Sequence, residues 1–210
     1  MYKNRKEIVI VIAGSKYISS RAKLTQHLII FLYGLTRVLK PVYHNYAREW
    51  TNEFKAEDRE VMWLRWNRGF TIFSRWLGIR RLKHVIRHYD KKHDIKLIGI
   101  SLGGDIALEA AKSFDDGTIK KIVLICSTNT TTQLDYKNIK VVNIFSPYDI
   151  FAKIAAKVLA PIHGGIILQG KNVKNIPIEN FSHDEFCANK KIKSGKYKGW
   201  TITRLINQLL

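Results

Sequence analysis

The stretch GISLGGD, residues 99–105, sets Ser101 among glycines, directly after an apolar run and directly before a helix-like one. Three readings compete for such a corner: a nucleophile turn, a phosphate-binding loop, or a strand-to-helix connection without chemistry. The nucleophile reading makes a demand on the rest of the chain. A serine hydroxyl is a poor nucleophile until a neighbouring base takes its proton and a third group orients that base, so an acid and a histidine must be supplied elsewhere. The phosphate reading requires G-x-G-x-x-G, or G-x-x-x-x-G-K followed by Ser or Thr. Neither is present, and Gly14 in IAGSKYISS fits neither pattern. On these residues alone the purely structural connection stays open.

The elements that would position such groups are legible as runs. Six segments read as strands, each a short β-branched or aliphatic stretch bounded by turn residues: 7–13, 60–66, 95–100, 119–126, 139–146 and 173–179. Helical spacing fills gaps between them. Ile72, Trp76, Ile79, Leu82 and Ile86 recur at steps of three and four over 71–89, and Leu102, Ile106, Ala110 and Phe114 at steps of four over 102–114. A further helix is expected at about 21–38, ended by Pro41, and a closing one in TITRLINQLL; the stretch 39–57 has no assignable pattern. IVIVI and IVLIC are continuously apolar, as strands covered on both faces must be. The alternation predicts an α/β protein: a three-layer α/β/α sandwich on a mainly parallel sheet of about six strands, in one domain spanning 1–210.

In this frame Ser101 stands alone at the corner between strand 95–100 and the helix that starts at residue 102. Side chains two positions before and after it would collide across a sharp turn, which gives Gly99 and Gly103 a steric reason to be glycine. The Leu102 amide then lies at a helix N-terminus, where it can donate to an oxyanion. Gly104 fits close packing, and Asp105 suits a first helical turn. Sites in such sheets form beyond the carboxyl ends of the strands. Asp149 follows the strand in IKVVNIFSPYD, whereas Asp115, Asp116 and Asp135 precede strands. Of seven histidines, His84, His88 and His93 read as surface residues and His27 and His44 lie early. His163 in APIHGGII is a rival, and His183 in IPIENFSHDEF lies just beyond the last strand and is favoured.

The order Ser101, Asp149, His183 is that of the α/β-hydrolases, and the sequence resembles small lipase- and esterase-like members of that superfamily. VIVIAGS resembles the strand and loop that contribute an oxyanion donor, KLIGISLGGDIALEAA the nucleophile strand, elbow and helix, VVNIFSPYD the acid strand, and FSHDEF the histidine loop. The resemblance implies Ser101 as nucleophile, His183 as general base and then acid, and Asp149 as the group fixing the imidazole. The Ser15 and Leu102 amides would form the oxyanion hole. Ala13-Gly14 stands where the family often has His-Gly, which leaves Ser15 less well supported than the triad. Only residues 127–138 separate the strand after the elbow helix from the acid strand, so the cap domain of larger members is absent there and an open, cap-less site is expected. The implied activity is a serine hydrolase cleaving carboxylic, thio- or lipid esters through an acyl-enzyme, with no cofactor.

Thirty-six Lys+Arg against 17 Asp+Glu give a net charge of +19, which suits an anionic surface. Basic residues gather in 65–92, with Trp66 and Trp76, and in 190–198, just before Trp200. Peripheral contact with an anionic membrane is the partner this favours, with nucleic acid ranked below it; the plain alternative is a solvated helix face with Trp76 in the core. An inert hydrolase-fold protein binding such a surface is the competing function, disfavoured because a scaffold has no need of all three reactive residue types in order. Cys126 and Cys187 form no CxxC or zinc-spaced cluster, so neither a metal site nor a disulfide framework is implied. Reduced thiols fit a cytoplasmic protein, and KEIVIVIAG reads as a core strand rather than a secretory signal.

Overall fold

The computed structural model describes residues 5–14, 50, 52–64, 66, 72–114 and 116–210. All six expected strands form: β1 Lys6–Ile12, β2 Arg59–Leu64, β3 His93–Ile100, β4 Ile119–Ile125, β5 Lys140–Phe145 and β6 Val173–Pro177. They make one sheet in the order β2-β1-β3-β4-β5-β6, with every neighbouring pair parallel. The chain winds outward in one direction from β1 to β2 and in the other from β3 to β6. The order therefore reverses between β1 and β3, and such a switch point opens a crevice at the carboxyl ends of the strands. Gly14 and Ser101 follow those two strands.

Successive side chains of a strand point to opposite faces, and β1 divides its residues accordingly. Ile8, Ile10 and Ile12 enter a core with Leu82 and Ile86 of α1 (Ile72–Tyr89) and Ile106, Ala107 and Ala110 of α2 (Leu102–Ala111). Val9 and Val11 enter the other core, with Trp50, Phe54 and residues Ile202, Leu205 and Ile206. Full burial of each such aliphatic side chain is worth about 1.5–3 kcal/mol, which is why strands buried on both faces hold the sheet so firmly. The result is the expected three-layer arrangement. Trp50 and Phe54, from the stretch with no legible pattern, are fully buried and meet edge to face at 6.4 Å. The helix expected at 21–38 lies outside the described residues.

The buried stripe of α1 differs from the periodic one. Ser74, Gly78, Leu82 and Ile86 face inward, while Ile72 is 82% and Trp76 45% exposed. Small residues let the helix approach α2: a Cβ on Gly78 would stand 2.9 Å from Ile106 Cδ1 and 3.0 Å from Trp66. Trp76 thus leaves the core, stacks on Phe73 at 5.8 Å and lies beneath the Arg80 guanidinium at 4.6 Å. Arg75 is not a free surface charge either, since it bonds Asp105 and Thr130.

Helix α2 stops at Ala111, three residues before the expected end, in turns closed by Ser113 N–H to Ala110 O and Phe114 N–H to Ala111 O. Two unexpected helices follow, α3 Ile150–Leu159 and α4 His183–Cys187, before the expected closing helix α5 Ile202–Leu209. Among the described residues, no helix is long and apolar enough to cross a membrane.

Candidate active site

Three chain segments deliver side chains to the carboxyl edge of the sheet, beginning with the corner between β3 and α2. Ser101 adopts φ 54°, ψ −127°, a conformation that an L-residue holds at a cost of about 1–3 kcal/mol and only where its surroundings over-determine it. Here the surroundings are backbone. A Cβ on Gly99 would lie 2.4 Å from Gly104 Cα, and one on Gly103 would lie 2.2 Å from Ile12 O, so helix, strand and neighbouring strand meet with no room for a methyl group. The corner is tied further by Ser101 N–H to Ile125 O at 2.9 Å and by the buried Ser127 hydroxyl, which donates to Ser101 O at 3.2 Å. Leu102 is the first residue of α2, and its amide belongs to the helix N-terminal set without an i−4 carbonyl.

The acid comes from the turn after β5. Asp149 is the N-cap of α3, its Oδ1 accepting from Ala152 N–H at 2.9 Å, which leaves Oδ2 for another donor. The histidine comes from the loop after β6. Ser182 caps α4 through a capping box in which its side chain accepts from the Glu185 amide and Glu185 accepts from the Ser182 amide, and His183 is the first residue of that short helix. Phe151 of α3 lies against the imidazole with ring centroids 4.7 Å apart.

These segments converge. His183 Nδ1 lies 2.9 Å from Asp149 Oδ2, and His183 Nε2 lies 3.1 Å from Ser101 Oγ. All three residues are at most 5% exposed. An ionised carboxylate can only accept, so Nδ1 carries the proton and the neutral ring offers its Nε2 lone pair to the Ser101 hydroxyl. Burial pulls the imidazole pKa down, but the Asp149 hydrogen bond and the electrostatic influence of Cys187, Asp149 and Asp184 outweigh it and raise His183 above its ordinary value. The arrangement can accept a proton from Ser101 and hold it.

The rival residues lie elsewhere. His163 is exposed on the turn after α3. His84 and His88 are exposed, whereas His93, expected at the surface, is half-buried with its ring edge-on to Tyr89 at 5.1 Å. Asp116 and Asp135 are exposed, and Asp105 is buried in a structural network with Arg75 and Thr130. His27, His44, Asp115 and Ser15, the expected second oxyanion donor, lie outside the described residues. Gly14, just before Ser15, is described: a Cβ there would stand 2.7 Å from Ser101 Cβ and 3.2 Å from its Oγ, so the chain leaving β1 passes directly beside the serine. Trp66 Nε1–H holds that passage by donating to Ala13 O at 3.0 Å.

Sequence reasoning missed Ser127, Phe151 and the helix that carries His183. The last had a readable signal, since SHDE at 182–185 is a capping-box pattern. It also missed that both cysteines reach this place. Cys126 follows β4 with φ 42°, and Cys187 ends α4; burial first of all pushes the Cys126 thiol well up, while a hydrogen bond from Cys126 and the nearby imidazole lower Cys187 against the opposing effect of burial.

No protein-family model and no curated protein sequence matches the chain. Solved structures do. A predicted CIB-like hydrolase from Thermoplasma acidophilum aligns over 100% of this chain and 88% of its own, with 12% identity and a TM-score of 0.56. Dienelactone hydrolase from Anabaena variabilis aligns over 99% and 84%, with 15% identity and a TM-score of 0.56. MGS-MChE2, an α/β hydrolase from a lagoon-sediment metagenome at Mar Chica, Morocco, aligns over 99% and 90%, with 15% identity and a TM-score of 0.50. With this strand order, this elbow and these neighbours, the chain has the fold of the α/β-hydrolase superfamily.

Proposed function

We propose that the protein is a serine hydrolase that cleaves carboxylic ester bonds, including thioesters and lipid esters, through an acyl-enzyme. The observation that carries this reading is the unbroken hydrogen-bonded line from Asp149 through His183 to Ser101, with the serine held on a strained, glycine-packed corner. In the first half-reaction Ser101 Oγ attacks the ester carbonyl while His183 Nε2 takes the hydroxyl proton. The carbonyl oxygen becomes an oxyanion, for which the Leu102 amide, and that of Ser15 by resemblance, would be donors. His183 then gives its proton to the departing alcohol or thiol, leaving an ester on Ser101. Water repeats the sequence with His183 as base, and the acid is released with the serine restored. Asp149 stays ionised, fixes the ring tautomer and stabilises the imidazolium.

Covalent labelling by a fluorophosphonate, lost in Ser101→Ala, is the expected result. A folded wild-type protein that takes no label overturns the reading. Turnover of p-nitrophenyl esters of increasing chain length then ranks acyl preference.

One observation favours a substrate presented at a surface. Ile150, Ile154 and Val158 form an exposed line along α3, the helix that Asp149 caps, with exposed Lys153 and Lys157 beside them. An apolar line flanked by lysines on a strongly basic protein suits an anionic phospholipid surface. Co-sedimentation with phosphatidylglycerol vesicles, weakened in Ile154→Asp, is expected. Equal retention on neutral and anionic vesicles, or none on either, removes this second reading.

A further inference from the structure

Cys126 and Cys187 are the only cysteines of the chain, and both end beside the same imidazole. Their two sulfurs and a ring nitrogen of His183 all lie within 4.8 Å of one another. The cysteines are 1% and 6% exposed. Each donor is placed by a separate constraint. Cys187 follows His183 by four residues on α4, the spacing that puts two side chains on one face of a helix. Cys126 leaves β4 in a left-handed backbone conformation, with its amide bonded to Ile144 O at 2.9 Å.

Two thiolates and an imidazole are a soft donor set of the kind that selects zinc-like cations over magnesium or calcium. In a tetrahedral site with bonds of about 2.3 Å to sulfur and about 2.0 Å to nitrogen, donors stand about 3.5–3.8 Å apart, so closure needs a contraction of at most about 1 Å. The charges balance. A divalent cation replaces one proton on each thiol, both protons leave to solvent, and the neutral imidazole contributes only a lone pair, so the buried centre carries no net charge. Both ring nitrogens of His183 are already engaged, one by Asp149 and the other by Ser101. A metal on either must therefore break one of the two bonds on which the proposed hydrolysis depends.

We infer that Cys126, Cys187 and His183 form a binding site for a soft divalent cation, and that its occupation switches the hydrolase off by capturing the imidazole. The inhibitory consequence rests on the hydrolase reading; the binding does not.

Cobalt(II) added to the reduced, metal-free protein tests the site. A near-ultraviolet thiolate-to-cobalt charge-transfer band and intense visible bands, saturating at one equivalent and displaced by zinc, are expected. Because the chain has only two thiols, the band strength in the wild type reports both without any variant. Cys126→Ser and Cys187→Ser should each weaken it, and His183→Gln should shift the visible bands. Zinc should lower p-nitrophenyl ester turnover about tenfold or more, reversibly by chelation. Absence of the charge-transfer band at stoichiometric cobalt overturns the site, as does a band unchanged in both serine variants. Bands in a protein that hydrolyses nothing when metal-free keep the site and overturn the hydrolase reading. Bands with zinc-insensitive turnover overturn the inhibition.

Discussion

The β3–α2 corner and the β6–α4 loop deliver the two ends of the same hydrogen bond, and they are built in opposite ways. At Ser101 the constraint is backbone against backbone: Gly103 faces Ile12 O and Gly99 faces Gly104 Cα at distances that no Cβ tolerates. At His183 the constraint is side chains: a Ser182–Glu185 capping box, a Lys193–Glu185 ion pair, the Phe151 ring and the Asp149 carboxylate. Steric constraints fail all at once, whereas hydrogen-bonded ones fail in steps. The serine corner should thus be intolerant of change, and the histidine loop should be tunable.

The largest effect is expected where the two regions communicate. Asp149→Asn keeps a capping side chain for α3, yet presents the wrong tautomer to Ser101. A fall in kcat of about 10⁴-fold with little change in thermal midpoint is expected, and an unaltered kcat would break the proposed relay. Gly103→Ala comes next, because its methyl group must displace the Ile12 carbonyl. A loss of about 3 kcal/mol or more in urea unfolding is predicted, or failure to fold; a well-folded, fully stable protein would show that the corner is looser than its packing.

On the base side, Ser182→Ala removes half of the capping box and should cost about 1 kcal/mol. A few-fold drop in kcat without loss of fluorophosphonate labelling is the matching kinetic result, and a collapse like that of Gly103→Ala would erase the distinction between the regions. The smallest effect is in pH dependence. His183 must be neutral to act as base, and its value is raised, so kcat/KM should fall as pH drops through a point above the ordinary histidine value. The residual activity of Asp149→Asn should show that limb at lower pH. The same shift predicts that His183 favours the folded state below its unfolded value, and that this contribution fades as pH rises through the folded one.

Much of this was legible in one dimension. Continuous apolar runs can be stable only where both sheet faces are covered, so IVIVI and IVLIC identified β1 and β4 and the layered class along with them. GISLGGD carried the elbow because its glycines answer a clash within a few residues of chain. Asp149 and His183 could be chosen by their positions after strands, since parallel strands bring all their carboxyl ends to one edge. The face of α1 was not legible. Periodicity counts apolar residues, but close approach to α2 was bought with Ser74 and Gly78, and Ile72 and Trp76 were turned outward.

What the sequence by itself determined, then, is whatever rests on local sterics and on the period of hydrophobic burial: six strands, their layer class, the serine corner and the order in which Ser101, Asp149 and His183 follow their strands. Only the tertiary structure decided which small residues become a packing face, that Ser101, His183 and Asp149 close to hydrogen-bonding distance, and that Cys126 and Cys187 flank the same imidazole. Those outcomes depend on distances between segments far apart in the chain, set jointly by sheet register and helix packing, and no spacing along the sequence encodes them singly.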